Sequence, residues 1–159
     1  MAHSGVYALA VEVPDSVRIT ARRRSFVIPR GTCVYCGSAM GPGGVEARVA
    51  RHLRRFFSAG NSTGRSHWHI DSLLVVACTF TAVSARTSLR IECALAKSLA
   101  SLGMDPLKGF GNTDCREGCS SHLLCTRLSI SGAVRMVEEV MRGFGLEPLV
   151  SETVERITK

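Results

Sequence analysis

The sequence predicts an α+β fold, a small and mainly antiparallel sheet flanked by helices, and three observations predict it. The first forty residues hold several short β-rich runs whose connections are too brief for crossover helices, so neighbouring strands run antiparallel. Two later segments, Val45 to about Phe57 and Ala133 to Phe144, place apolar residues at helical spacing. The 159 residues are 45% hydrophobic and 21% charged, enough apolar material for one core and too much for wholesale disorder. No repeat, long linker or low-complexity tract divides the chain. The economical reading is a domain over residues 1–130, with a C-terminal helical extension, 131–159, packed on it.

Taken in order, Gly5 to Val13 is apolar and β-branched and stops at Pro14-Asp15, a strand followed by a turn. Val17, Ile19 and Ala21 alternate with Arg18 and Thr20, a strand with one polar face. Arg22-Arg23-Arg24 then reads as a hairpin tip before Phe26-Val27-Ile28. Thr32 to Ala39 is a further β-rich run. The Gly41 to Gly44 turn opens a helix in which Val45, Val49, Leu53 and Phe56 would face the sheet, with Arg48, Arg51, His52 and Arg55 as a basic stripe beside them. Ala59 to Ser66 is a polar loop, and Leu73 to Val83 reads as a buried strand after a short turn at Asp71-Ser72. Ser88 is placed to cap a helix reaching Leu102, with Ile91, Leu95, Leu99 and Leu102 as its buried stripe. Lys108 to Cys119 is a Gly-rich loop, His122 to Ile130 a short strand, and Ser151 the cap of a last helical turn or two.

Charge narrows the function classes. Lys plus Arg number 20 against 13 Asp plus Glu, a formal net charge of +7, and 17 of the cations are Arg. The guanidinium fork matches phosphate oxygens, so a polyanionic partner is favoured. A GC-rich or heat-adapted source accounts for the same bias, and the absence of Gln fits it. The longest apolar run, Leu73 to Cys78, is far short of the roughly 20 residues of a membrane span, and no basic-then-apolar leader is seen. A soluble, cytoplasmic protein with no membrane partner is expected. Seven irregularly spaced Cys argue against a disulfide framework and for buried thiols or metal ligands.

Gly5-Val6-Tyr7 in the first strand and Tyr35-Cys36-Gly37 in the later one are followed by an Arg-bearing helix and, further on, by Glu92 near a helix start. In that order these pieces resemble the GIY-YIG endonuclease superfamily. The resemblance is closer to its Uri-type branch of small nuclease-like proteins, which shows runs like Tyr35 to Gly44, His67-Trp68-His69-Ile70-Asp71, Gly109-Phe110-Gly111 with Asp114-Cys115, and Ser121-His122-Leu123. It spans roughly residues 5 to 126. Tyr7 and Tyr35 stand 28 residues apart, wider than in the compact nucleases, and Ser38 occupies a position where many members carry Lys.

The resemblance implies a metal-dependent endonuclease hydrolysing DNA phosphodiester bonds. In it Tyr7 or Tyr35 is the general base, Arg48 clamps phosphate, Glu92 holds one Mg²⁺ and His69 assists. Arg51, His52, Arg55, Ser38 and Asn112 would contact nucleic acid. A phenol of pKa ~10 needs nearby cations or a metal to serve as a base at neutral pH. A Mg²⁺ ion takes few protein oxygens and keeps its waters, so a single carboxylate suffices as its anchor. Glu46 is better explained as a helix-start acid. Cys33-x-x-Cys36 has ligand spacing, but residues three apart on a strand point to opposite faces, which discounts it as a zinc knuckle. Asp114, Cys115, Cys119 and His122 cluster in one loop region as a possible structural zinc site, with thiols packed under a loop as the other reading. Two alternatives stand beside hydrolysis: a catalytically inactive nucleic-acid-binding module, and a Cys/His metal-binding interaction protein.

Overall fold

The computed structural model describes residues 2–21, 23–58, 69–111 and 118–156. Along the chain these form β1 (Gly5–Val13), β2 (Val17–Ala21), β3 (Arg24–Ile28), β4 (Gly31–Ala39), α1 (Gly44–Phe57), α2 (His69–Val76) and β5 (Thr79–Arg86). Then come α3 (Glu92–Ser101), β6 (Asp105–Pro106), β7 (Leu123–Thr126), α4 (Ile130–Gly143), β8 (Leu149–Val150) and β9 (Val154–Glu155). The fold is α+β, as expected. Seven strands form one sheet in the order β6-β7-β4-β1-β5-β8, with β9 also pairing β5, and the pairings are antiparallel.

β1 is the centre of the sheet, and its composition explains why. Gly5 through Val11 are all buried, so helices or strands must cover both faces. On one face Tyr7, Leu9, Val11 and Val13 pack with Val45 and Phe56 of α1, with Ile70, Leu73 and Leu74 of α2, and with the separate β2–β3 hairpin. On the other, Val6, Ala8 and Ala10 meet Leu95 and Leu99 of α3 and Ala133, Val137 and Met141 of α4. The alternation puts Cys33 in the first core and Cys36 in the second, so the two thiols do point apart. Cys33 instead lies directly across the ladder from Cys125, with 3.3 Å between the sulfurs.

Several boundaries differ from the sequence reading, each for a local reason. Leu73 to Val76 is helical, and the strand begins only at Thr79. A run apolar throughout satisfies either period, and burial of Ile70, Leu73, Leu74 and Ala77 follows the helical one. Ser88 caps nothing: the Thr87 hydroxyl accepts from the Leu89 amide at 3.1 Å, a local turn that delays the helix to Glu92. Leu102 then falls beyond the helix end and is exposed. The strand foreseen from His122 to Ile130 stops at Thr126, because Ser129 caps α4 by accepting from the Gly132 amide at 3.2 Å.

Residues 144–156, after α4, are not helical. β8 and β9 run along β5, and between them Ser151 takes the place of a ladder residue: its hydroxyl accepts from the Ala82 amide at 2.8 Å while its amide donates to the Ala82 carbonyl. Among the described residues no helix is long and apolar enough to cross a membrane.

Arg156, at the end of this segment, ties the helical layer together. Its guanidinium donates to the carbonyls of Phe56 at 2.5 Å, Val75 at 2.8 Å and Ala77, and stacks 4.8 Å over the Phe56 ring. One fork thereby answers carbonyls at the C-terminal ends of both α1 and α2, where four acceptors of each helix lack intrahelical donors. Arg156→Met, which keeps the apolar stem, is expected to cost about 2–3 kcal/mol of unfolding free energy through these orphaned carbonyls. Urea titration should show a lower midpoint at unchanged slope; an unchanged midpoint contradicts the capping role.

Candidate functional site

The polar residues of the site meet where the sheet runs out. β7 pairs β4 only as far as Tyr35, with one further backbone bond from the Cys36 amide to the His122 carbonyl at 2.8 Å. Past that point β4 has β1 on one side and a cleft on the other. The cleft, of about 330 Å³, is lined by Tyr7, Tyr35, Gly37, Ser38, Arg48, Arg90, Glu92, Gly111 and His122. Side chains from both faces of the sheet reach it around the open strand edge: the tyrosines and Arg48 from the α1 side, Glu92 from the α3 side.

Register brings the two tyrosines together. Tyr7 lies opposite Gly37, so Tyr35, two residues earlier on β4, is its diagonal neighbour on the same face. Gly37 is required there, because a Cβ would overlap the Tyr7 phenol. Gly111 sits at φ 75°, and a Cβ there would crowd the Tyr35 ring at 3.1 Å, so the far wall of the cleft calls for glycine. Arg48, half-buried on α1, donates to the Ser38 carbonyl at 3.3 Å, and the Ser38 hydroxyl donates to the Glu92 carboxylate. Arg48, Ser38 and Glu92 are thus linked across β4. Carboxylate, hydroxyl and phenol oxygens make a donor set suited to a hard cation such as Mg²⁺, which would keep most of its own waters.

Burial dominates the protonation chemistry. It pushes the Tyr7 phenol up to about 12 even though Arg48 and Arg51 pull the other way. Burial pushes Tyr35 up as well, and the neighbouring Tyr7 adds to this. Both are neutral phenols at physiological pH. The Tyr7 hydroxyl is 2.9 Å from His52 Nε2, with the rings 5.4 Å apart. His52 is pushed down to about 3, first by burial and then by the Arg51 charge, so it is a neutral imidazole.

The structure therefore gathers Tyr7, Tyr35, Ser38, Arg48 and Glu92 into one cleft, and redistributes the rest of the expected set. Arg51 forms a two-pronged pair with Asp71 of α2, at 3.2 and 3.0 Å, and is not part of the lining. Asp71 is almost wholly buried, so this pairing offsets the desolvation of its carboxylate. His52 has no exposed surface and cannot touch nucleic acid directly; it packs under Tyr7 and Tyr35. The basic stripe is consequently an inner, cross-linking face of α1, and Arg55 likewise lies half-buried outside the lining. His69 is not in the cleft either. Its Nδ1 accepts from the Gly111 amide at 2.6 Å and its ring lies against Phe26 and Phe110, so it positions the Gly111 wall. Glu46 pairs with His3 at 3.0 Å at the start of α1, which fits its reading as a helix-start acid.

His122 is at the cleft and also faces two thiols. Its ring nitrogens and the sulfurs of Cys93 and Cys119 include one ligand atom each within 4.8 Å of one another. Asn112, Asp114 and Cys115 lie outside the described residues. Sequence reasoning missed two members of this neighbourhood. Arg90 is exposed at the rim, just ahead of the start of α3 at Glu92. Cys93 was read past because it sits inside an apolar helix face, where a thiol passes for a small hydrophobe.

An α+β chain with an oxygen-rich, Arg-lined cleft at an open sheet edge is the class these features define. The chain belongs to the family described as domain of unknown function DUF123, which it matches over residues 6–146. No curated protein and no solved structure matches it.

The buried neutral His52 gives a signed expectation. Below about 6.5 the unfolded chain takes up a proton that the folded chain refuses until about pH 3. Stability therefore falls as pH falls through this window, by an amount on the order of a few kcal/mol. Urea unfolding at stepped pH should show wild type losing stability relative to His52→Gln between pH 6.5 and 3; parallel curves would refute the neutral imidazole.

Proposed function

We propose that this protein is a metal-dependent endonuclease hydrolysing DNA phosphodiester bonds, a member of the GIY-YIG type that its motifs resemble. The single observation that carries the reading is convergence: Tyr7, Tyr35, Ser38, Arg48 and Glu92, spread over 86 positions of sequence (from 7 to 92, inclusive), line one cleft. In-line attack on a phosphodiester needs an activated water, charge stabilisation on the phosphoryl oxygens and help for the leaving oxygen. Arg48 is placed to clamp the phosphate, with Arg90 at the rim to receive the flanking backbone. Glu92 would hold the divalent ion, Mg²⁺ by its oxygen chemistry, and the Ser38 hydroxyl orients that carboxylate. The bound ion would neutralise phosphoryl charge and lower the pKa of a coordinated water.

The tyrosines constrain how the base works. With a pKa of about 12, only about one Tyr7 in ten thousand is ionised at pH 8. Tyr7 could therefore serve as general base only with further positive charge in the cleft, which an ion on Glu92 would supply. Until then both phenols act as hydrogen-bonding groups that orient the water. This reading makes the Tyr→Phe and Glu92 losses alike steep.

Incubation of the purified chain with plasmid, branched and single-stranded DNA tests it directly. Cleavage is expected with Mg²⁺ and not with EDTA. Tyr7→Phe, Tyr35→Phe, Arg48→Ala and Glu92→Gln should each lower the rate by about 10²–10³-fold. Cleavage untouched by Glu92→Gln refutes the mechanism. Salt-sensitive binding without nicking under any divalent ion refutes hydrolysis and leaves a binding module.

A further inference from the structure

We propose that Cys93, Cys119 and His122 form a zinc site, adjoining the Glu92 cleft through His122, that fastens the first turn of α3 to the lead-in of β7. The three residues come from separated parts of the chain: Cys93 is the second residue of α3, Cys119 precedes β7, and His122 directly abuts Leu123, its first residue. All three are buried, with His122 only 8% exposed. Their ligand atoms lie within 4.8 Å of one another.

His122 Nε2 supplies the second, independent observation. It is buried without a hydrogen-bond partner among the described residues. A buried polar nitrogen left unsatisfied costs about 1–3 kcal/mol, and thiol packing alone gives it nothing to bond. A metal ion answers that nitrogen and the two sulfurs together. Zn–S of ~2.3 Å and Zn–N of ~2.0–2.1 Å in tetrahedral geometry put ligand atoms roughly 3.5–3.8 Å apart, a contraction of at most about 1.3 Å from the arrangement here. Two sulfurs and an imidazole are a soft-to-borderline set that selects Zn²⁺ and rejects Mg²⁺, so the two sites sort their ions by ligand chemistry.

The consequence is mechanical. Glu92 and Cys93 are adjacent on the first turn of α3, so a metal on Cys93 fixes where the Glu92 carboxylate sits. His122 lines the cleft as well, and the same ion would set the orientation of its ring against that wall. These are positioning residues, and their assignment is independent of whether the cleft hydrolyses DNA.

The test uses the full chain and the metals alone. After purification with zinc and exhaustive dialysis, metal analysis is expected to find about one zinc per chain. Cobalt(II) exchange is expected to give the thiolate charge-transfer band and the intense d–d envelope of a tetrahedral site. Cys93→Ser and His122→Ala should each lose the zinc and the charge-transfer signature, or weaken the affinity at least 10-fold. Cys78→Ser, at a half-buried position away from the cluster, should keep both and also controls for folding. A chelator should lower the melting temperature of wild type and Cys78→Ser alike. Wild type that retains no zinc after dialysis overturns the proposal, and so does Cys93→Ser that still binds a full equivalent. Neither result bears on DNA cleavage, so the two readings fail separately.

Discussion

β1 and β4 pair without a break from Gly5 opposite Ala39 to Val13 opposite Gly31, and the cleft depends on that register. A slip of one residue would pair Tyr7 with Cys36 or Ser38 and put it on the face opposite Tyr35, so the two phenols would no longer share a cleft. Three constraints hold the register. β1 is buried on both faces, so each side chain has one acceptable side. Gly37 is the residue on β4 that lets the Tyr7 ring lie flat against the strand. β5 pairs β1 over nearly its whole length on the opposite edge, from Gly5 opposite Arg86 to Glu12 opposite Thr79. Pairing on both sides makes slippage on one side costly on the other.

Once that register is set, burial and charge compete at the two phenols, and burial wins. Arg48 and Arg51 both favour ionised Tyr7, yet the phenol stays protonated because desolvation of a phenolate outweighs them. Arg51 is further committed by Asp71, whose carboxylate takes up its guanidinium with two near-parallel bonds. The protein has thus spent one arginine on holding α1 to α2 and kept another, Arg48, beside Ser38 and Glu92. The cleft therefore sets two neutral phenols and the Glu92 carboxylate beside the Arg48 and Arg90 guanidinium groups.

The sheet was legible in the sequence because its first strands are β-branched, bounded by turn residues and joined by connections too short for crossover helices. The inward set of α1 was legible through Val45 and Phe56. His52 was not: polar residues next to an apolar stripe default to solvent, and only the presence of Tyr7 above the helix makes an imidazole a core residue. His69 hid for the same reason, since its acceptor role needs the Gly111 amide, 42 positions away. The Leu73 to Val76 boundary was unreadable in principle, because a uniformly apolar run carries no period. Ser151 misled through chemistry it does share with helix caps, a hydroxyl accepting a backbone amide, here spent on the edge of β5.

Adjacent residues on a helix point about 100° apart, and the start of α3 uses that fact. Glu92 turns toward the oxygen-lined cleft and Cys93 toward the buried sulfur and imidazole, so one backbone turn serves two environments of opposite hardness. A helix start without a side-chain cap is a weak place to anchor a carboxylate whose position must hold to fractions of an ångström. Ser38 restrains Glu92 from the β4 side, and a tie through Cys93 to His122 would restrain it from the β7 side. Because β4 and β7 are themselves paired up to Tyr35, both restraints refer the carboxylate to the same rigid ladder that carries the phenols. The distance between acid and phenols would then be set by the sheet, and the mobility of the helix end would no longer enter it.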